Sequence, residues 1–333
     1  MESINFSTYY RPKTFSEVVG QDTAVAVLKR IAMADGISVR SIFLKGAYGS
    51  GKSTLARIFG RALSCEQFKK TGEVCNECAS CKEALAKNSQ LYLEFDSSVV
   101  GNVERIRDLQ QQLSYVPSKG RRLVVFDEIH AASNAAQNAM LKMIEEGIPN
   151  TIFLFASTDE IIPTIKSRSI CLDISTIPFD KIKQRVLEVA NNQNIEVDGQ
   201  ILDTIAMKSG GHMRDALSLL QLYSLAGTDG LKTSYQLVVN FFVKALQSKV
   251  DEANEILREI LSYNTVDIRN SINLFIRNTY CADANSPLYK LQQTGVINKI
   301  FAFIFTPANQ LALRDEVGIE IVFKSFLDKV KAK

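Results

Sequence analysis

Residues 46–53 read Gly-Ala-Tyr-Gly-Ser-Gly-Lys-Ser, and this stretch decides the fold of the 333-residue chain. It follows the pattern G-x-x-x-x-G-K-S, a loop whose backbone N–H groups cradle phosphates. The apolar run at 41–44 predicts a buried parallel strand before the loop, and helical spacing of apolar residues at 54–63 predicts a helix after it. Lys52 is then expected to reach the β- and γ-phosphates of a nucleotide, and the Ser53 hydroxyl to hold Mg²⁺.

The loop supplies a set of candidate nucleotide-binding residues: Gly46, Tyr48, Gly49, Ser50, Gly51, Lys52, Ser53 and Thr54. Its glycines let the backbone wrap closely around phosphates. Exposed N–H groups at the start of the helix, together with the helix dipole, favour negative charge there. The alternative is a chance glycine-rich turn, which the flanking strand and helix disfavour.

A second acidic motif occupies residues 123–128, Leu-Val-Val-Phe-Asp-Glu. It predicts a short buried strand that ends in two carboxylates, the Walker B pattern. Asp127 is placed to orient Mg²⁺ through its water shell, and Glu128 to polarise the attacking water. Neighbouring residues of a strand point to opposite sides, so the two carboxylates need not share one task. An acidic strand end is common by itself, but the phosphate loop favours the functional interpretation.

Four cysteines follow the phosphate-loop helix at Cys65, Cys75, Cys78 and Cys81. Four thiolates suit a closed tetrahedral structural Zn²⁺ site, which leaves no open position for catalysis. An iron–sulfur cluster or unliganded thiols are the alternatives, and the solvated residues between the cysteines favour zinc. The remaining Cys171 and Cys281 stand alone in apolar surroundings and are predicted to be core residues.

The rest of the first half predicts a doubly wound parallel sheet with ligands at the carboxyl ends of its strands. Thr158 follows a buried strand at 152–157 and is expected beside the γ-phosphate. Near the N-terminus, Phe15, Val18 and Val19 are apolar enough to pack on a flat adenine ring. Packing of an N-terminal arm on the core is the alternative, which spacing alone favours. From residue 179 onward the pattern predicts helices only.

Composition adds limits on location and partners. The formal net charge is only +3, so the total charge makes no case for nucleic acid, although a local basic patch is compatible with it. The first residues lack the basic and apolar regions of a signal peptide, and no apolar run reaches the ~18 residues of a membrane span. A cytoplasmic protein without membrane contact is therefore expected.

Taken together, these motifs are similar to those of a known family. The chain resembles the gamma/tau subunits of the bacterial DNA polymerase III clamp loader, which are AAA+ ATPases. The similar segments cover nearly all of residues 7–240. They comprise Tyr10-Arg11-Pro12, Val18-Val19-Gly20-Gln21, the phosphate loop, the four-cysteine insertion, Asp127-Glu128-Ile129-His130, and the segments at 138–146, 156–159 and 213–218.

The resemblance implies the fold, the domains and further site residues. It implies an AAA+ domain at 1–178 with a zinc module at 65–81, a helical lid at 179–242 and an all-α oligomerisation collar at 243–333. Thr158 becomes the sensor-1 residue, and Arg214 becomes sensor 2, reaching the γ-phosphate from the lid. Arg168 becomes an arginine finger that acts in the neighbouring subunit's site. Adenine contacts fall on Tyr10, Arg11, Pro12, Val18 and Val19.

Two departures from the family pattern affect the expected contacts. Ser169 replaces the cysteine that follows the finger arginine, which leaves Arg168 in place. Val99-Val100-Gly101-Asn102 replaces a basic pair near the DNA backbone, so phosphate contact there falls to backbone amides, Asn102, Arg105 and Arg107. The chain also stops without the long C-terminal extension of tau, which predicts a minimal loader subunit, such as one from a phage or a reduced system.

The resemblance implies an ATPase motor that uses ATP and Mg²⁺ to open a sliding clamp and load it on primer–template DNA for replication. Its expected partners are other loader subunits in a pentamer, as copies of itself or delta-type subunits, and the clamp. The alternatives are a non-hydrolysing scaffold subunit of the same complex and a different AAA+ motor such as a branch-migration helicase. No carboxylate constellation of a polymerase is visible, so nucleotidyl transfer is not expected.

Overall fold

The computed structural model describes residues 5–36, 39–86, 88–97, 102–115, 120–227, 234–280, 300, 302–304, 306–313 and 315–331. The chain divides into two compact units, Met1–Gly230 and Leu231–Lys333. The first unit has two hydrophobic clusters and the second has one. The domain limits at 178 and 242 stay predictions.

The first unit is built on a five-stranded sheet. Its strands are β1 Ser41–Gly46, β2 Tyr92–Asp96, β3 Arg122–Asp127, β4 Thr151–Ser157 and β5 Ile170–Ile174. Their order across the sheet is β2-β3-β4-β1-β5, and every neighbouring pair is parallel. The predicted α/β class with a parallel sheet is therefore confirmed.

Helices connect these strands and then follow them. They are α1 Phe6–Tyr9, α2 Asp22–Met33, α3 Lys52–Ser64, α4 Phe68–Thr71, α5 Ala79–Leu85, α6 Val103–Leu113, α7 Asn134–Glu146, α8 Pro163–Lys166, α9 Phe179–Asn192, α10 Gly199–Lys208 and α11 Met213–Ala226. Side chains just before three of them fix their starts, because Asn102, Ser133 and Asp198 each accept a hydrogen bond from a backbone N–H of the first turn.

Alternate residues of each central strand pack on opposite faces of the sheet. In β3, Leu123 and Val125 join the cluster that includes α2 and α3, whereas Val124 and Phe126 join the cluster that includes α6 and α7. A parallel sheet needs such cover on both faces, which explains the continuous apolar runs of its strands. This cover leaves the carboxyl-end edge of the sheet to carry the polar residues.

The prediction that Cys171 is a core residue is wrong, because its side chain is exposed. Strand β5 lies at the edge of the sheet, and only Leu172 and Ile174 among its residues are buried. An edge strand has one neighbour instead of two, so an apolar run there need not be covered on both faces. Cys281 lies outside the described residues.

The second unit is helical, as predicted. Its described helices are α12 Ser234–Leu246, α13 Val250–Ile260, α14 Thr265–Tyr280, α15 Pro307–Ala312 and α16 Glu316–Lys331. An aromatic cluster holds its core, in which the Phe242 ring stacks on Phe275 at 5.0 Å and the Phe241 ring lies 4.5 Å from Phe323. In the part of the chain that the structure describes, no helix combines the length and the apolar character needed to cross a membrane.

Helix α3 approaches β2 closely at Gly60, and this contact generates a stability prediction. A Cβ on Gly60 would lie 2.3 Å from Cδ2 of Tyr92, whose hydroxyl is held by Glu94 at 2.9 Å. We expect Gly60→Ala to lower the free energy of unfolding by about 1–3 kcal/mol through overpacking, measured by urea titration. Gly199→Ala is the matched helical control because nothing lies within 4 Å of its added Cβ. Equal stability of the two variants would contradict the prediction.

Candidate functional site

The phosphate loop leaves β1 at Gly46 and enters α3 at Lys52. Two of its glycines are required by geometry. A Cβ on Gly46 would lie 2.3 Å from the carbonyl oxygen of Ile174, and Gly51 has φ +107°, which L side chains rarely adopt. The sequence therefore folds here into a tight turn whose last residue, Gly51, stands directly before the first turn of a helix.

Lys52 is folded back into this turn and is only 5% exposed. Its Nζ donates to the carbonyl oxygens of Gly46 at 2.8 Å and Ala47 at 3.2 Å, and it lies 3.9 Å from Oε1 of Glu128. Burial lowers the pKa of Lys52, while the carboxylates of Glu128 and Asp127 act in the opposite direction. The ammonium is thus held at the loop by groups that a phosphate can replace.

Ser53, in the first turn of α3, and Asp127, the last residue of β3, meet at the cavity. The Ser53 hydroxyl donates to Oδ2 of Asp127 at 2.8 Å. A hydroxyl and a carboxylate are oxygen ligands of the kind that Mg²⁺ prefers beside nucleotide phosphates. The donor set at this point therefore fits a magnesium ion.

These residues border a cavity of about 240 Å³. Most of the predicted nucleotide-site residues line it: Tyr10, Arg11, Pro12, Val18, Val19, Tyr48, Gly49, Ser50, Gly51, Lys52, Ser53, Thr54, Asp127, Glu128 and Arg214. Residues that were not predicted also line it: Ser7, Glu17, Gln21, Ile177, Arg185, Met213 and Leu217. Gln21, Met213 and Leu217 belong to family-like segments, which could have pointed to them, whereas the others carry no sequence signal.

The N-terminal arm forms one wall of the cavity. Phe15 does not face the cavity: it is 1% exposed and packs in the core against Phe68. Val18 and Val19 do line the cavity. The arm is tied to the helices after the sheet, since the Tyr10 hydroxyl accepts a hydrogen bond from Gln193 at 2.6 Å. Within the arm, packing on the core therefore applies to Phe15, and a position at the cavity applies to Val18 and Val19.

Positive charge collects at the cavity. Burial, followed by the charges of Arg57 and Arg214, lowers the pKa of Arg11. Arg214 donates from Nη1 to the Tyr48 hydroxyl at 2.6 Å, and its guanidinium lies 5.1 Å from the centre of that ring. With Lys52 and Arg185, four cationic residues therefore line one small volume, an arrangement that suits a polyanion.

His212 lies behind the loop. A Cβ on Gly49 would be 3.4 Å from the Cβ of His212, and Nδ1 of this histidine is buried without a hydrogen bond among the described residues. The start of α11, which follows at Met213, is thereby kept against the phosphate loop.

Three predicted residues are not among the described residues that line the cavity: Gly46, Thr158 and Arg168. Thr158 directly follows β4, and its hydroxyl donates to Asp159 at 3.4 Å. Arg168 lies on the surface, where Nη2 contacts the Glu145 carboxylate at 2.7 Å. The exposed position of Arg168 is compatible with an action outside its own cavity.

Behind the cavity, Glu128 contacts a histidine. Glu128 adopts the left-handed conformation with φ 48° and ψ 48°. Its Oε2 lies 3.3 Å from Nδ1 of His130, and the same nitrogen lies 2.9 Å from the hydroxyl of Ser157 at the end of β4. The sequence indicates His130 only as part of a family-like motif, because a single histidine has no spacing from which a role can be predicted.

The four cysteines come together as predicted. The sulfurs of Cys65, Cys75, Cys78 and Cys81 all lie within 4.8 Å of one another. A tetrahedral site with Zn–S bonds of about 2.3 Å separates its sulfurs by roughly 3.8 Å, so this cluster could hold one zinc ion. Backbone N–H groups support the thiolates, since Cys75 N donates to Cys65 Sγ at 3.4 Å and Cys78 N to Cys75 Sγ at 3.3 Å.

The thiols differ in acidity because their surroundings differ. Burial raises the pKa of Cys81 and of Cys65. Burial acts in the same direction on Cys75, but hydrogen bonds from the backbone of Glu77 and Cys78 and from neighbouring thiols lower its pKa to about 7. At least one sulfur of the cluster is therefore poised to become a thiolate.

The expected DNA-contact segment is described only in part. Asn102 caps α6 by accepting from the N–H of Arg105 at 2.9 Å. Arg107 borders a polar surface groove between α6 and α7. Val99, Val100 and Gly101 lie outside the described residues, so phosphate contact there stays a prediction.

The chain is similar to known replication proteins. Residues 20–178 match the family model described as DNA polymerase III, delta subunit. The chain is 34% identical to the DNA polymerase III subunit tau of Bacillus subtilis over 266 residues, which is 76% of this chain and 47% of that protein. It is 32% identical to DNA polymerase III subunit gamma/tau of Mycobacterium tuberculosis, over 74% of this chain and 43% of that protein. It is also 32% identical to the DNA polymerase III subunit tau of Escherichia coli, over 66% of this chain and 34% of that protein.

The chain thus spans less than half the length of these three relatives. Among solved structures it resembles the Thermotoga maritima RuvB Holliday junction branch migration motor, with a TM-score of 0.52 and 17% identity over 82% of this chain and 80% of that chain. At this identity the likeness shows the fold alone.

The left-handed backbone at Gly51 generates a prediction about the site. We expect Gly51→Ala to lower the free energy of unfolding by about 1–2 kcal/mol and to weaken ATP binding, because the loop must twist to relieve the strain. Gly36→Ala is a matched control, since Gly36 has φ +90° and open space around its Cβ but does not border the cavity. Fluorescent-nucleotide titration and thermal unfolding would separate the two effects. Equal nucleotide affinity in both variants would contradict the prediction.

Proposed function

We propose that this chain, which is similar to DNA polymerase III gamma/tau subunits, is an ATP-dependent motor subunit of a DNA sliding-clamp loader. It helps to open a ring-shaped clamp and to place it on primer–template DNA. The observation that carries the proposal is a single cavity. Five of the predicted site residues line it: Lys52, Ser53, Asp127, Glu128 and Arg214. Such a set has no purpose in a protein that only binds partners.

ATP binds with its phosphates at the loop and the start of α3. Lys52 exchanges the carbonyl oxygens of its own loop for phosphate oxygens, and Arg214 reaches the same phosphates from α11. Ser53 and Asp127 hold Mg²⁺, which supplies charge neutralisation on the phosphates when it is bound. The adenine is received by the arm, where Pro12, Val18 and Val19 line the cavity.

Hydrolysis needs a base for water and a cation for the developing charge. Glu128 polarises the attacking water, because its Oε1 lies on the Lys52 side of the site. Thr158 acts as the sensor at the end of β4. Arg168, exposed on its own chain, completes the neighbouring subunit's site, and an arginine finger in trans is worth ~10³–10⁵ in rate.

Loss of the γ-phosphate then acts as a switch. ATP binding closes the contacts between loop, sensor and lid, and favours binding of the clamp and of DNA. Hydrolysis removes those contacts and releases both partners. The physical principle is an ordered segment whose order depends on γ-phosphate contacts.

The partners proposed for this chain are other loader subunits in a pentamer, either copies of itself or delta-type subunits, together with the sliding clamp. The helices after residue 242 serve as the collar, and the helices at 179–242 as the lid. Phosphates of primer–template DNA are contacted near Asn102, Arg105 and Arg107. Work on DNA implies action at the nucleoid in the cytoplasm, or in the host cytoplasm if a phage encodes the chain.

A non-hydrolysing scaffold subunit of the same complex is the second candidate. The complete set of Lys52, Ser53, Asp127 and Glu128 argues against it, because a scaffold needs none of these groups to be retained. The branch-migration helicase receives support from the shared fold only, and the fold does not determine the activity.

The motor proposal predicts a specific pattern of ATP hydrolysis. We expect the full chain to hydrolyse ATP slowly alone and faster with its loader partners, the clamp and primed DNA. Lys52→Ala and Arg168→Ala should each abolish the increase, the second by roughly 10³-fold or more in kcat. Steady-state ATPase assays of the assembled complex measure both effects.

A mixing experiment tests the action of Arg168 in trans. Lys52→Ala and Arg168→Ala chains, each inactive, should regain part of the rate when assembled together, because an intact Arg168 can then serve an intact Lys52. Lys166→Ala is the matched control, since this exposed cation pairs with Glu160 at 2.9 Å. If no condition gives Lys52-dependent hydrolysis, the chain is a scaffold subunit.

The cysteine cluster predicts one structural zinc ion per chain. We expect Cys81→Ser to lose the zinc. Because metal binding contributes directly to folding, the loss of unfolding free energy should exceed the roughly 1 kcal/mol of an ordinary substitution, and the melting temperature should fall accordingly. Elemental analysis and thermal unfolding measure the two quantities, and Cys171→Ser is the control. Visible absorption with bound iron would instead indicate an iron–sulfur cluster.

A further inference from the structure

His130 lies between the ends of two strands. It belongs to the single helical turn Ile129–Ala131, which follows β3 directly. Its Nδ1 lies 2.9 Å from the hydroxyl of Ser157 on β4 and 3.3 Å from Oε2 of Glu128. Its Nε2 lies 3.8 Å from Oδ2 of Asp159. One ring thus bridges the acidic end of β3 and the polar end of β4.

The carboxylate of Glu128 needs this neighbour. Its Oε2 is buried, and no hydrogen bond of ordinary geometry reaches it in the part of the chain that is described. The other oxygen, Oε1, faces Lys52 at 3.9 Å. A buried carboxylate oxygen without a donor is costly, so the imidazole N–H is the group available to satisfy it.

The proton on His130 can be assigned from its partners. A carboxylate only accepts hydrogen bonds, so the contact with Glu128 is favourable when Nδ1 carries hydrogen. The Ser157 hydroxyl oxygen accepts from the N–H of Asp159 at 3.1 Å and can accept from Nδ1 as well. An Nδ1–H shared by Ser157 and Glu128 therefore supplies a donor to both of these oxygens.

We propose that His130 is a positioning residue that holds Oε2 of Glu128 through Nδ1–H and ties that carboxylate to the end of β4 through Ser157. This proposal rests on the proposed ATPase function, since it assigns Glu128 to the attacking water. With Oε2 held, Oε1 is the oxygen left to polarise water on the cavity side.

The backbone strengthens the need for such a hold. Glu128 is a non-glycine residue with φ 48°, a conformation that costs energy and persists only where surrounding contacts impose it. Ser157 is fully buried and directly precedes Thr158, so the hold on Glu128 is anchored beside the residue proposed as the sensor.

Two amide variants test which ring nitrogen matters. In Asn the amide nitrogen is bonded to Cγ, as Nδ1 is in histidine. In Gln the amide nitrogen is one bond further from the backbone, nearer to the position of Nε2. We expect His130→Ala and His130→Gln to lower kcat of the assembled complex roughly 10- to 100-fold, with KM and nucleotide affinity within about twofold of the unsubstituted protein. His130→Asn should keep kcat within a few-fold. Thermal unfolding of each variant checks folding.

A second background separates positioning from a structural role. In Glu128→Gln chains the base is absent, so adding His130→Ala should leave the residual rate unchanged. Ser157→Ala should reproduce part of the loss in kcat. Its matched control is Thr151→Val at the other end of β4, a buried hydroxyl that donates to Pro149 at 3.2 Å, which should leave kcat unaltered.

The outcomes distinguish this proposal from the function on which it rests. If the unsubstituted complex hydrolyses ATP in a Lys52-dependent manner but His130→Asn and His130→Gln have equal kcat, the role of His130 is overturned and the motor function stands. A further fall in rate in the Glu128→Gln background would also overturn it. Absence of Lys52-dependent hydrolysis in the unsubstituted complex overturns both proposals.

Discussion

The parallel pairing of β1, β4 and β3 is the constraint on which every other part of the site depends. Strand β4 lies between the other two, with Lys45 opposite Ser157 on one side and Phe126 opposite Phe155 on the other. Because all three strands run in the same direction, the phosphate loop, the acidic pair and Ser157 are delivered to one edge of the sheet. The contact between Ser53 and Asp127 exists only because of this shared direction.

Regular elements could be predicted closely from the sequence. The helix predicted at 54–63 lies within α3 Lys52–Ser64, and the strand predicted at 152–157 is β4 Thr151–Ser157, since the apolar residues of each follow the pattern of that element. The phosphate loop and the four cysteines were found because their chemistry fixes both residue type and spacing. Local rules of this kind do not require knowledge of the tertiary fold.

Features that depend on distant packing could not be predicted. Cys171 was placed in the core because its run is apolar, and only the strand order reveals that β5 is an edge strand. Ile177 and Arg185 line the cavity because the chain returns to it after the sheet, which no local pattern indicates. The arm was treated as one unit, yet Phe15 belongs to the core while Val18 and Val19 border the cavity.

The chain contains only two histidines, and both stand beside the cavity, His130 behind Glu128 and His212 against the loop at Gly49. Every imidazole resonance in a magnetic resonance spectrum of this protein therefore reports on that cavity. A spectrum of two ring signals is simple to assign by replacing one residue. The protein thus carries a built-in pair of spectroscopic reporters, one for each side of the cavity, without the addition of any label.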